Sequence, residues 1–133
     1  IGNNDKAMEY YAAANGAGPE VGANMGYLQM WMGDYSSAVA SYASTKSYNA
    51  ALAKTLNGDY QTALQAIDGS STASSAESLY LKAIIGARMG DKNMMVSSLK
   101  ASVAANGEMK AKAKKDAEFT KYKDDSEFQA AVN

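Results

Sequence analysis

An all-α fold made of antiparallel helix pairs is what this chain predicts, and three observations carry the prediction. Proline occurs once, at Pro19, whereas alanine is abundant and methionine occurs eight times, a composition that favours helix. No segment alternates apolar and polar residues with the period of a strand. And one pattern recurs: WMGDYSSAVASY from Trp31, LNGDYQTALQAI from Leu56 and RMGDKNMMVSSL from Arg88 each carry Gly-Asp at a break between apolar runs. Asp34 and Asp59 are 25 residues apart, Asp59 and Asp91 are 32 apart. Recurrence on that scale with paired helices describes a helical solenoid, in which no unit buries its apolar face alone.

The elements follow in order. Residues 4–14 read as a helix with Met8, Tyr10 and Tyr11 as its larger contacts, capped by Asn3, Asn4 or Asp5. Asn15 to Gly18 end it, and Pro19 suits the first turn of the next helix, 19–32. There Val21, Met25, Leu28 and Met32 form an apolar stripe, while Tyr27, Met30 and Trp31 lie on other faces, so this helix must touch neighbours on more than one side. At each Gly-Asp the glycine supplies a left-handed C-cap and the aspartate opens the following helix: 35–43 with Ala38, Val39 and Tyr42, then 60–67 with Ala63, Leu64 and Ile67, then 93–105 with Met95, Val96, Leu99 and Val103. Between them lie a polar turn at 44–47, a helix over 48–57, a loop at 68–75 and a strong helix over 76–89. Helix 109–115, a short one through Phe119 and Tyr122, and a last one capped by Ser126 and carrying Phe128 and Val132 complete the chain.

Composition narrows function. A chain of 133 residues with net charge −1 has no general pull toward nucleic acid or an anionic membrane. Lysines at 110, 112, 114, 115, 121 and 123 are matched by Glu108, Asp116, Glu118, Asp124, Asp125 and Glu127, a solvated mixed-charge face and not a basic patch. Without cysteine or histidine there is no disulfide, no thiolate metal site and no Cys or His catalysis. No serine, lysine or carboxylate sits in a distinctive catalytic context, so no enzyme, cofactor or metal is expected. Asp34 and Asp59 read as helix caps, not as an acid–base pair; Asp91 lacks the further ligands of a calcium loop; Asp124, Asp125 and Glu127 read as a solvated helix start. No apolar run of about eighteen residues exists, so no membrane insertion is expected. A start without methionine fits removal of a leader or a longer segment.

The stretch NMGYLQMWMGDYSSAVASY resembles a tetratricopeptide repeat (TPR): Met25-Gly26 stand for the large–small pair, Gly33-Asp34-Tyr35 for the turn, Ala38 and Tyr42 for the inward face. Ala50-Ala51, Gly58-Asp59-Tyr60, Ala63 and Ile67 repeat it; Lys82-Ala83, Gly90-Asp91, Met95 and Leu99 do so with Lys92 in place of the turn tyrosine and Met95 in place of a small residue. The resemblance implies a right-handed superhelix in one domain: a half repeat over 1–18, repeats over 19–43, 44–75 and 76–106, and capping helices over 107–133 in which Phe119 and Phe128 cover the last repeat. The first full unit is shorter than the family's length of about 34 residues, so its second helix or following turn is trimmed. The half-unit start leaves Met8 and Tyr11 either exposed or paired in a homodimer through the N-terminal helix.

In this family the first helix of each pair lines a concave groove that takes peptide segments. The resemblance therefore nominates Tyr27, Met30 and Trp31 (with Ala23), Tyr48 and Leu52 (with Thr55), and Tyr80, Ile84 and Arg88 as groove residues. The other reading of the same side chains is core, covered by loops or the tail. The implied function is a non-catalytic scaffold binding a protein or peptide segment on an apolar, aromatic face. Its alternative is a structural spacer of a larger bacterial envelope protein or, behind that, part of a glycan-binding outer-membrane lipoprotein, with the envelope or periplasm favoured over the cytoplasm.

Overall fold

The computed structural model describes residues 19–133, with side chains from Gly22 onward. The expectations for residues 4–14, for the half repeat 1–18 and for a homodimer through Met8 and Tyr11 lie outside the described residues. The described chain is helix and turn, with no strand among the described residues: α1 (Pro19–Trp31), α2 (Tyr35–Tyr42), α3 (Tyr48–Leu56), α4 (Tyr60–Asp68), α5 (Ala76–Met89), α6 (Lys92–Ala105), α7 (Met109–Lys115), a 3-10 helix (Ala117–Tyr122) and α8 (Ser126–Val132). It divides into two compact units, Ile1–Ser71 and Thr72–Asn133, and the division falls within the 68–75 loop.

The three Gly-Asp joints are one structure made three times. Gly33, Gly58 and Gly90 have φ of 81°, 86° and 76°, a region where only glycine avoids a Cβ penalty. Each glycine N–H donates to the carbonyl three residues back (Met30, Thr55, Ala87) and each aspartate N–H to the carbonyl five back (Gln29, Lys54, Gly86). That pair of bonds is the Schellman closure, which satisfies the last carbonyls of α1, α3 and α5. The next helix is then opened by the aspartate side chain at two joints: Asp34 accepts from Ser37 N–H at 3.2 Å and Asp91 from Met94 N–H at 3.0 Å. The expectation fails at the middle joint. Asp59 makes no side-chain cap; its carboxylate accepts instead from the Asn57 side-chain amide at 2.8 Å. The last helix also differs from expectation, because Asp125, not Ser126, caps α8, accepting from the N–H groups of Glu127 and Phe128.

In the first unit α1 pairs with α2 and α3 with α4, and α1 and α2 both touch α3. The buried cluster is small: Met30, Ala38, Tyr42, Ala50 and Ala53. In the stripe expected over Val21, Met25, Leu28 and Met32, the described side chains of Met25 and Leu28 are only half-buried. Met32 is half exposed, and the buried positions are Gly26, Gln29 and Met30. Glycine explains the rotation: a Cβ on Gly26 would meet the Tyr42 ring at 2.8 Å, and one on Gly22 the Ser41 carbonyl at 2.8 Å. The helices approach through side-chain absence, which a hydrophobicity stripe does not register. Among the second helices, α2 has eight residues and α4 nine, against fourteen for α6. Helix α2 ends at Ala43, whose φ of 49° and ψ of −121° lie in the region that glycine prefers.

In the second unit α5 and α6 form the main pair, and α7, the 3-10 helix and α8 fold onto it. Its cluster is larger, joining Tyr80, Ala83, Met95 and Leu99 to Met109, Phe119, Phe128 and Val132. Met95 stands where a small residue is expected, yet the pair is tight. Gly86 on α5 makes the room: a Cβ there would lie 2.7 Å from Met95 N and 3.0 Å from its Cα. Ser102 Oγ adds a buried bond to the Ala76 carbonyl at 2.7 Å.

Candidate docking site

The C-terminal turns of α1 and α3 frame a hollow of about 360 Å³. Its walls include Tyr27, Met30 and Trp31 from α1 with Leu52 and Leu56 from α3; Tyr35, the first residue of α2, and Asn49 complete it. None of these side chains is charged. Tyr27 and Trp31 sit one helical turn apart with ring centroids 6.2 Å apart and planes tilted by 50°. They remain open to solvent, Tyr27 at 41 % and Trp31 at 71 % of full exposure, while Met30 is buried as the floor. An indole that exposed beside an apolar hollow is unusual for a surface, because every Å² of apolar area left in water forgoes about 25 cal/mol.

Of the residues nominated from sequence, Tyr27, Met30, Trp31 and Leu52 are thus brought together. Tyr48, at the start of α3, is partly buried and lies outside the lining of this hollow. Ala23 packs against the first unit's core, and Thr55 is buried with Oγ1 donating to the Ala51 carbonyl at 2.8 Å. The three nominated residues of α5 meet the chain's own tail. Tyr80 is buried, its ring edge-on to Phe119 at 5.6 Å and its hydroxyl donating to Asp116 at 2.7 Å. Burial first, then this bond and the charges of Asp116 and Glu118, push its hydroxyl well above the ordinary tyrosine range, so it stays a donor. Ile84 packs against the same cluster. Arg88 is gripped by Glu118 through two bonds, Nε at 2.9 Å and Nη2 at 2.5 Å.

Leu56, Tyr35 and Asn49 were missed by sequence reasoning. Leu56 was legible, since it falls four residues after Leu52 on the same helix face. Tyr35 belongs in sequence to the Gly-Asp-Tyr turn, which gives no sign of the hollow. Elsewhere the acidic residues serve structure. Asp125 and Glu127 hold Lys92 at 2.6 and 3.0 Å. Among the described residues no three metal-ligating side chains gather, and no helix is long and apolar enough to cross a membrane. Compared with known proteins, the chain matches no family model, no curated sequence and no solved structure.

Proposed function

We propose that this protein is a non-catalytic docking scaffold of TPR-like architecture, with its helix pairs stacked in that family's right-handed manner, and that it takes a protein or peptide segment in the hollow between α1 and α3. What supports the architecture is the thrice-repeated joint, with the same glycine conformation and the same two closing bonds. The observation that carries the function is the pairing of exposed Tyr27 and Trp31 with an uncharged hollow floored by Met30 and walled by Leu52 and Leu56. Aromatic side chains at the rim of an apolar pocket are the usual source of binding energy at such surfaces. Their exposure also favours docking over a spacer role, in which the same face is covered.

Selection of a random displayed peptide library on the wild type and on the Tyr27→Ala/Trp31→Ala variant tests this, with circular dichroism to verify that the variant keeps its helix content. The reading expects peptides enriched on the wild type alone. Equal enrichment on both proteins, or none on either, refutes it.

A further inference from the structure

We infer that the segment seated in the α1–α3 hollow is a short peptide with a phenylalanine-like anchor and without carboxylates. This rests on the docking reading above and names the chemistry of its ligand. In the other unit the corresponding face is already filled.

The joint glycines put the first helices of the pairs in a common register. Counting back from Gly33, Gly58 and Gly90, the seventh residue is Gly26, Ala51 or Ala83, and all three are buried. The tenth, sixth and second residues back share another face: Ala23, Tyr27 and Trp31 on α1; Tyr48, Leu52 and Leu56 on α3; Tyr80, Ile84 and Arg88 on α5. On α5 this face carries the chain's own Asp116–Phe119 turn. Phe119 is 1 % exposed against Tyr80, Asp116 takes the Tyr80 hydroxyl, and Glu118 takes Arg88. The protein therefore holds an occupant of its own making on this register, and that occupant is an aromatic anchor flanked by two carboxylates.

The first unit keeps the apolar part of that arrangement and drops the charged part. Its middle positions, Tyr27 and Leu52, are uncharged like Ile84, with an aromatic ring or an aliphatic chain to offer. At the Arg88 position it has Trp31 and Leu56, and none of the hollow's walls is charged. A carboxylate brought there would be desolvated with no cation to pair with, whereas a phenyl ring meets a lining made mostly of carbon, in which Asn49, the two tyrosine hydroxyls and the Trp31 indole N–H are the polar groups. Charge matching thus selects an uncharged relative of the tail turn.

Three acetylated, amidated pentapeptides test this: the tail turn Asp-Ala-Glu-Phe-Thr, its amide form Asn-Ala-Gln-Phe-Thr, and Asn-Ala-Gln-Ala-Thr. Trp31, the chain's one tryptophan, reports binding by its fluorescence. The amide peptide is expected to saturate the signal at a concentration at least tenfold below the acidic one, and the alanine peptide not to saturate it. Leu56→Arg, which places a guanidinium at the Arg88 register, is expected to reverse the order of the first two. If that variant loses its helix content, Asn49→Arg at the exposed edge of the hollow makes the same test with Trp31 still reporting. Equal binding of the phenylalanine and alanine peptides, tighter binding of the acidic peptide to the wild type, no saturable binding at all, or no reversal in a folded arginine variant would each overturn the inference. Library selection that depends on Tyr27 and Trp31 but yields peptides without aromatic residues would leave docking standing and remove this ligand chemistry alone.

Discussion

Gly86→Ala separates what the helix wants from what the fold allows. On helix propensity alone, replacing a mid-helix glycine by alanine stabilises by about 1 kcal/mol. In the structure the new Cβ lies 2.7 Å from Met95 N, 3.0 Å from Met95 Cα and 3.1 Å from the Asp91 carbonyl oxygen. All three obstacles are backbone, so no rotamer change removes them and α5 must move off α6 by several tenths of an ångström. Inserting a methyl into an interface of this kind costs about 1–3 kcal/mol, and separating the pair also strains the buried Ser102–Ala76 bond. Set against the propensity gain, the net expectation is a loss of roughly 1 kcal/mol, a measurable part of the about 5–15 kcal/mol that small domains possess. Urea unfolding followed by circular dichroism reads it as a lower midpoint with an unchanged slope. Adding Met95→Ala should not restore stability, because the Met95 side chain is not what is struck. At Gly26 the nearest obstacle is the Tyr42 ring, so Gly26→Ala should be partly rescued by Tyr42→Leu. If Gly86→Ala raises the midpoint, or if Met95→Ala rescues it, the close approach of α5 and α6 through Gly86 is refuted.

Three further outcomes follow. Ala43→Gly should stabilise by about 1 kcal/mol in the same urea assay, since it relieves a positive φ that costs an L-residue about 1–3 kcal/mol against a smaller unfolded-state entropy loss. Ser78→Ala should leave stability unchanged or raise it by up to about 1 kcal/mol on thermal melting, because Ser78 Oγ is fully buried without a hydrogen-bond partner. The Lys92 ammonium, and then the Phe128 N–H, hold the Asp125 carboxyl below the ordinary carboxylate value. A lowered folded-state pKa contributes stability that is fully present above the ordinary value of about 4 and is lost as pH falls through the depressed one. Unfolding midpoints measured across that acidic window should fall less steeply in Lys92→Met than in the wild type.

Element positions were legible because the Gly-Asp joints and the isolated Pro19 punctuate the chain physically: each marks a backbone conformation that other residues avoid. Which face a helix buries was legible where large side chains decide it, as for Leu99, Phe119 and Phe128. It was not legible on α1, where Gly22 and Gly26 decide it by taking up no room. Asp34, Asp59 and Asp91 look alike in sequence, yet only the first and last cap, because Asn57 is there to compete for Asp59. The candidate site divided along the same lines. Tyr27, Met30, Trp31 and Leu52 cluster as the first-helix register suggests. Tyr80 is core because a segment 36 residues further on returns to cover it, and no local pattern encodes that return.

On the proposed function, Trp31 and Tyr27 form an open face that a ligand closes. Acrylamide quenching of the single tryptophan tests it most directly. Quenching of the free protein is expected near that of an exposed indole, with a solvent-like emission maximum, and clear protection is expected once the amide pentapeptide is added. A blue-shifted, quencher-resistant Trp31 in the free protein would contradict that open face.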